Sequence, residues 1–372
     1  MKNKYFIIIG NGSFVCKDNF GPGVILRSLL QYVQETKQNN IALFYRSEEK
    51  RLYLEEKIAS LDAKSDVSLH SIHTLDQFIQ EENITAAFIS VPDNVHFFYA
   101  KKFLLSHIAT WLVKPITDNL SQAQELAILS KQHNTPLWID FHKRFDHANR
   151  LAYMNIQQQK YGKLLHYSVQ YTQPLTLPRD TFSWSEQTNV FSYIGCHYVD
   201  LLEFFYPQKI ASFKISALGT KGTLYKEKGL HDSIIATMHL QLHSKETIIA
   251  SFQVGWNDPE GTPSKSHQRL ELTFEKGRFI LDQKERGFEI WDNTKTHQVN
   301  PYFFIQSYDP MTNAYKYNGY GYDSIINFLH HIEKREKSIT IPLIHNTLFS
   351  EYVLKALKES LINNGKWIEE QL

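Results

Sequence analysis

The sequence predicts an α/β domain with a doubly wound parallel sheet over residues 1–140. It predicts an α+β domain with a large open-faced mixed or antiparallel sheet over residues 141–372. Three observations lead there. The chain has 372 residues, beyond the ~250–300 at which a single core stops growing. Up to Asp140, short apolar runs alternate with helix-period stretches, the pattern of repeated βα units. Past Asp140 several strand-like runs follow one another with no helix between them, as in an antiparallel or mixed sheet.

In chain order, the first-domain strands are expected at Tyr5–Ile9, Ile41–Tyr45, Val67–His70, Ala86–Val91, Ile108–Val113 and Leu137–Asp140. Ile25, Leu29 and Val33 recur at i, i+4 and i+8, and Leu120, Ala123 and Ala127 at i, i+3 and i+7, as the inner faces of covering helices do. A helix over Phe145–Gln159 precedes a strand over Lys163–Tyr171, a Pro-rich stretch with Pro174 and Pro178, and a helix over Phe191–Phe205. Strands then follow at Ile210–Leu218, Ser233–Leu242, Thr247–Val254, Arg269–Phe274, Arg278–Asp282 and Phe288–Trp291, with Trp256–Gly261 read as a turn. Helices over Asp323–Lys334 and Thr347–Leu361 close the chain, the second stopped by Asn363-Asn364-Gly365.

Charge and cysteine content exclude several classes. Forty Lys+Arg against 39 Asp+Glu leave no basic surplus for nucleic acid or an anionic membrane, so the expected partner is a small molecule. No apolar run approaches the ~20 residues of a membrane span. Cys16 and Cys196 are far apart and without metal-ligand spacing, which points to free thiols in a cytoplasmic protein with no metal site. The 20 Tyr and 24 Phe suit a sheet face buried against another subunit, a homodimer or homotetramer.

The first strand runs into Gly10-Asn11-Gly12-Ser13-Phe14-Val15. Such a turn lets backbone N–H groups approach a pyrophosphate beside a helix N-terminus, though Val15 replaces the third glycine of the dinucleotide fingerprint. The helix is expected to start late, after Gly21-Pro22-Gly23. A plain structural turn is the competing reading. After the second strand, Arg46 and Ser47 stand where an acid would bind a ribose 2′-OH, which favours NADP over NAD unless Glu48 or Glu49 reaches the ribose instead. Further candidates sit in the Pro92-Asp93-Asn94 turn with His96, in Lys114-Pro115, and in Gly195-Cys196-His197-Tyr198-Val199-Asp200.

Taken in order, these motifs resemble the Gfo/Idh/MocA oxidoreductase family. Val91-Pro92-Asp93-Asn94-Val95-His96 is similar to its Thr-Pro-Asn-x-x-His turn, and Leu112-Val113-Lys114-Pro115 to its Glu-Lys-Pro. Asp140-Phe141-His142-Lys143-Arg144-Phe145 is similar to Asn-x-x-Arg-Phe, residues 195–200 to a Gly-x-His-x-x-Asp helix, and Asn364-Gly365-Lys366-Trp367 to its closing turn. The resemblance implies a Rossmann domain, an open-faced sheet domain and an active site in the cleft between them. It implies NAD(P)-dependent oxidation of a secondary hydroxyl of a sugar, sugar derivative or nucleotide sugar, or reduction of the ketone. A glycoside-cleaving relative and a catalytically weakened sensor are the alternatives.

Carried across, Lys114 and His197 are the catalytic pair, with Tyr193 where the family often has a carboxylate. An imidazole can take the hydroxyl proton near neutrality, and an ammonium can stabilise the developing alkoxide. Gly10, Gly12, Ser13, Phe14, Val15, Arg46, Ser47, Pro92, Asn94, His96 and Lys114 are the cofactor candidates, although His96 also suits a turn-closing role. Arg144, Trp184, Asn189 and Asp200 are the substrate candidates. Plain surface charge is the competing reading of Lys143 and Arg144, and packing that of His197.

Overall fold

The structure is a computed structural model of the chain, describing residues 4–16, 23–61, 63–283, 286–291, 293–294, 296–298, 300–334 and 338–372. The first domain comprises β1 (Lys4–Ile9), α1 (Val24–Thr36), β2 (Asn40–Tyr45), α2 (Glu48–Ser60), β3 (Val67–Ser71), α3 (Leu75–Glu81), β4 (Asn83–Ile89), α4 (His96–Leu105), β5 (Thr110–Val113), α5 (Leu120–Gln132) and β6 (Leu137–Asp140). The strands pair in parallel in the order β3-β2-β1-β4-β5-β6, with the order reversing between β1 and β4. Strands β1, β2, β4, β5 and β6 are largely apolar on both faces because helices cover both, whereas the edge strand β3 carries Ser68, His70 and Ser71. Ile7, Ile9, Phe44, Ile89, Leu112 and Ile139 pack toward α3, α4 and α5. The alternate residues Phe6, Ile8, Leu43, Phe88, Trp111 and Trp138 pack toward the opposite side.

The second domain adds α6 (His147–Gln157), β7 (Leu164–Pro174), α7 (Cys196–Phe205), β8 (Ile210–Gly219), α8 (Thr223–Lys228), β9 (Ser233–Leu242), β10 (Thr247–Asp258), β11 (His267–Phe274) and β12 (Gly277–Asp282). The hairpins β13 (Glu289–Trp291)/β14 (Thr296–Gln298) and β15 (Ile305–Asp309)/β16 (Ala314–Asn318) precede α9 (Tyr320–Lys334), α10 (Leu348–Ile362) and β17 (Ile368–Gln371). The large sheet has the order β12-β11-β7-β10-β9-β8-β17, antiparallel except for β7/β10.

Three details differ from the expectations. The short helix α8 interrupts the run of strands, and β10 extends through Trp256–Asp258 where a turn was expected. The sheet's aromatic residues point inward: Tyr167, Phe213, Phe252, Trp256 and Phe274 are buried. The outward positions carry Thr237, His239, Gln241, Ser251 and Gln253, with scattered aliphatics such as Leu165, Ile235 and Ile249.

The domains are bound together at the end of β6. Helix α9 returns to cover the first sheet: Phe328 meets Phe88 and Trp138, and Ser324 donates to Asp140 (2.7 Å). Ile139 N–H donates to the carbonyl of Pro342 (2.8 Å). The Ile116 N–H donates to the carboxyl of Glu351 on α10 (2.9 Å), which burial pushes up to about 8. Arg144 and Asp200, expected in the cleft or at the surface, instead form a buried bidentate pair (2.8 and 2.6 Å). The guanidinium also donates to the carbonyls of Asn346 (2.8 Å) and Thr340 (3.1 Å).

Removing one member of such a pair strands the other in a dry interior. Arg144→Ala is therefore expected to cost about 3–5 kcal/mol, read as a lower urea midpoint at unchanged slope. An unchanged midpoint would show that the pair does not hold the junction.

Candidate active site

A cleft of about 1290 Å³ opens between the domains at the carboxyl ends of β1, β2, β4, β5 and β6, on the strand-order reversal where open α/β sheets bind ligands. Its floor is the glycine turn. Gly10 has φ +120°, and a Cβ there would stand 2.0 Å from the Ser90 carbonyl, so β1 and β4 approach this closely only with glycine. Gly10, Gly12, Ser13 and Phe14 line the cleft. Val15 does not: it is fully buried, and its carbonyl accepts from Leu26 at the start of α1.

Helix α1 starts late, as expected, after Gly23; Gly21 and Pro22 lie outside the described residues. The consequence is chemical. The Val24 and Ile25 N–H groups donate to the Phe14 carbonyl and that of Leu26 to the Val15 carbonyl. The helix-end donors expected to face a pyrophosphate are thus taken by the chain itself.

One end of the cleft is lined by Phe44, Arg46, Lys50 and Ile72. Ser47 is exposed and turned away, accepting from the Lys50 N–H as the N-cap of α2 (3.4 Å). Glu48 is held by Arg51 (2.5 Å), and neither Glu48 nor Glu49 lines the cleft. Pro92 and Asp93 line it but Asn94 is exposed outside it. His96 is fully buried, its ring nitrogens 2.9 Å from the Pro115 carbonyl and 2.8 Å from that of Val91. It ties the Pro92 turn to the cis Lys114-Pro115 turn and so fixes Lys114, rather than touching the cleft.

The other end holds the polar chemistry. Lys114 donates to the Tyr193 carbonyl and lies 4.1 Å above the Tyr193 ring. A widened π-type turn over Phe191–Gly195 leads into α7, whose second residue is His197. The Tyr193 ring is part of an aromatic wall with Phe182, Trp184 and Trp256. Burial drives its phenol well above the ordinary range, so it keeps its proton and serves as a platform. Asn189 is spent locally, accepting from Ser192 N–H (2.9 Å), and does not line the cleft. Thr188 donates to Asp93 across the domains (3.0 Å).

His197 is buried at the cleft wall, and its Nδ1 has no hydrogen-bond partner among the described residues. Burial first, then the nearby His142, Lys114 and Lys143, hold its pKa well below the ordinary 6.5, leaving a neutral imidazole free to accept a proton.

Two residues at the end of β6 complete the cluster. Lys143, where plain surface charge is the competing expectation, is buried, donating to Gln268 and Gln283 (2.9 Å) beneath the Tyr198 ring. Burial, with lesser contributions from Arg286 and Lys114 against Asp146, pushes its amine down to about 7. His142 lines the cleft with its Nδ1 3.0 Å from Asp140 and its ring 4.6 Å from that of His197. The available signal was position: both directly follow a parallel strand's carboxyl end.

The chain matches two family models: "Oxidoreductase family, NAD-binding Rossmann fold" over residues 20–141 and "GFO/IDH/MocA C-terminal domain" over residues 150–280. An uncharacterised oxidoreductase of Schizosaccharomyces pombe is 26% identical over 116 residues, 30% of this chain and 31% of that relative's length. Myo-inositol 2-dehydrogenase of Lactobacillus plantarum is similar in fold, with TM-score 0.73 at 16% identity over 100% of both chains. So is scyllo-inositol dehydrogenase of Lactobacillus casei with bound NAD(H) and scyllo-inositol, with TM-score 0.73 at 17% identity over 99% of both chains.

The lowered His197 pKa makes a stability prediction. In the unfolded chain the imidazole protonates near 6.5, and in the folded chain only at lower pH. The unfolded state therefore binds more protons below 6.5, and stability falls as pH drops through that range. His197→Asn is expected to lose less stability than the parent between pH 7 and 5 in urea titrations. Equal losses would mean that His197 titrates normally.

Proposed function

Because the chain belongs to the Gfo/Idh/MocA family of oxidoreductases, we propose that its cleft oxidises a secondary hydroxyl of a sugar-related cyclic polyol, with Lys114 and His197 as the reacting pair. Family membership makes it an NAD(P)-dependent dehydrogenase acting on CH–OH groups. The observation that carries the proposal is the meeting of the Lys114 ammonium and the neutral His197 imidazole at the end of the cleft opposite Arg46. The polyol class rests on the inositol dehydrogenases of like fold and on the Trp184–Tyr193 wall, which suits the apolar face of a ring.

The cleft fits a nicotinamide dinucleotide. Its floor is a turn whose Gly12 has nothing among the described residues within 4 Å of a Cβ position, and its far end carries two cations. Gly10, Gly12, Ser13 and Phe14 would lie along the pyrophosphate, and Arg46 with Lys50 beside the adenosine. Bound there, the nicotinamide supplies the hydride acceptor. Pro92 and Lys114 border the reacting end. His197 takes the hydroxyl proton, and Lys114 stabilises the oxygen as negative charge develops on it. Trp184 lies against the substrate, and Lys143 offers an ammonium or amine near neutrality.

Lys114→Ala and His197→Ala are each expected to lower kcat/KM for scyllo- or myo-inositol by roughly 10²–10⁴ while NAD(P)H binding persists. Parent-like turnover in both would remove the mechanism. NADP is the expected cofactor, because Arg46 and Lys50 line the adenosine end and no carboxylate from residues 46–50 does. In fluorescence titrations NADPH should bind more tightly than NADH, and Arg46→Ala should weaken NADPH roughly tenfold with NADH little changed. Equal loss for both would assign Arg46 to the shared part of the dinucleotide.

The outer face of the large sheet is assigned to contact between copies of the chain, through Leu165, Ile235, Ile249 and their neighbours. Sedimentation at micromolar concentration should show a dimer or tetramer, and a monomer would remove this assignment.

A further inference from the structure

His197 has no carboxylate one turn before it, where Tyr193 holds its proton and stacks under Lys114, and the Asp200 carboxylate further along α7 is taken by Arg144. A carboxylate reaches the site from another direction. The Asp140 side chain is almost fully buried at the end of β6, with Oδ1 accepting from Ser324 (2.7 Å) and Oδ2 3.0 Å from His142 Nδ1. The His142 ring is packed among Phe303, Tyr320 and Phe14, and its centroid lies 4.6 Å from that of His197 at a tilt of 49°. Both rings line the cleft, and the buried Nδ1 of His197 is unpartnered.

We propose that Asp140 and His142 form a carboxylate–imidazole pair that receives the proton His197 takes from the substrate hydroxyl. Asp140 accepts the Nδ1–H of His142 and leaves Nε2 with its lone pair. When the hydroxyl O–H bond breaks, a new N–H forms on His197. The two rings touch but share no direct hydrogen bond among the described residues, so the proton on its other ring nitrogen passes by way of a water molecule to His142 Nε2; His197 ends neutral in the alternative tautomer and His142 ends as an imidazolium. A nicotinamide bound in the cleft would supply the acceptor for the hydride from the same carbon. Asp140 stays ionised and stabilises the imidazolium, as a buried carboxylate does in other imidazole relays. Lys114 and Lys143 face the His197 ring and disfavour positive charge on it.

This rests on the dehydrogenase reading, but its test does not require turnover. In ¹⁵N-histidine-labelled protein at neutral pH, two-bond ¹H–¹⁵N spectra should show His142 as the Nδ1–H tautomer, with Nε2 bare. Asp140→Asn should convert His142 wholly or partly to the Nε2–H tautomer, because the amide NH₂ can donate to Nδ1. A His142 protonated on Nε2 in the parent, or a tautomer unmoved by Asp140→Asn, would overturn the proposal. With NAD(P)⁺ and scyllo-inositol, Asp140→Asn should lower kcat at least tenfold and alter its pH profile while NADPH affinity stays within about twofold. Unchanged kcat in an active enzyme would also overturn it. Absence of parent turnover on inositols would count against the substrate reading alone, leaving the tautomer measurement to decide the relay.

Discussion

The buried Arg144–Asp200 pair is the constraint on which the site depends. Its guanidinium is satisfied by a bidentate carboxylate and by the Asn346 and Thr340 carbonyls, so three distant stretches of chain converge on one rigid fork. One residue before it in sequence is Lys143, two before is His142, and Asp200 lies three residues along α7 from His197. The same anchor therefore sets the positions of α7 and of the segment leaving β6. Asp146, gripped by Arg286 and Gln283, fixes the other end of that segment. A polar cluster on a loop between two domains would ordinarily be loosely placed; here it is held at both ends by buried charge.

Most of the architecture was legible because its signals are local. Parallel strands covered on both faces appear as unbroken apolar runs, and β1 to β6 fall within a few residues of where those runs stand. The closing helices follow from period and from the Asn363-Asn364-Gly365 stop. What escaped was set by contacts across long stretches of sequence. Helix α9 covers a face of the first sheet more than 180 residues after β6, and no local pattern announces that. The exposed β15/β16 hairpin, with Tyr308 and Tyr315 facing solvent, has no apolar alternation to reveal it.

The site was legible to a similar depth and failed for the same reason. Lys114, His197, Gly10 and Arg46 sit at strand ends or on a helix that the pattern locates, and all line the cleft. Arg144 and Asp200 had the right residue types for substrate contact but find each other, 56 residues apart, in the interior. His96, Ser47 and Asn189 hydrogen-bond the chain near them, as short polar side chains at turns do. The glycine turn kept its position but not its helix-end donors, because moving the start of α1 to Val24 brings those N–H groups onto the Phe14 and Val15 carbonyls.

The exchange of a carboxylate for Tyr193 changes the charge balance of the cleft in a consistent direction. A carboxylate at that position would pair with Lys114 and neutralise it. The phenol, held protonated by burial, offers Lys114 only its ring face and backbone carbonyl and leaves the ammonium's charge uncancelled in the cleft. The nearby acids are already engaged: Asp93 by Thr188, Asp140 by Ser324 and His142, Asp146 by Arg286. The cost falls on His197, whose lowered pKa makes it a weaker base than an imidazole with its own carboxylate. In the proposed reaction the compensation would be on the substrate, since an uncancelled ammonium beside a hydroxyl lowers that hydroxyl's own pKa in a poorly solvated site. Proton transfer depends on the difference between the two groups. Under the proposed mechanism the base and the O–H bond would be weakened together, which keeps that difference small with Tyr193 in place of a carboxylate.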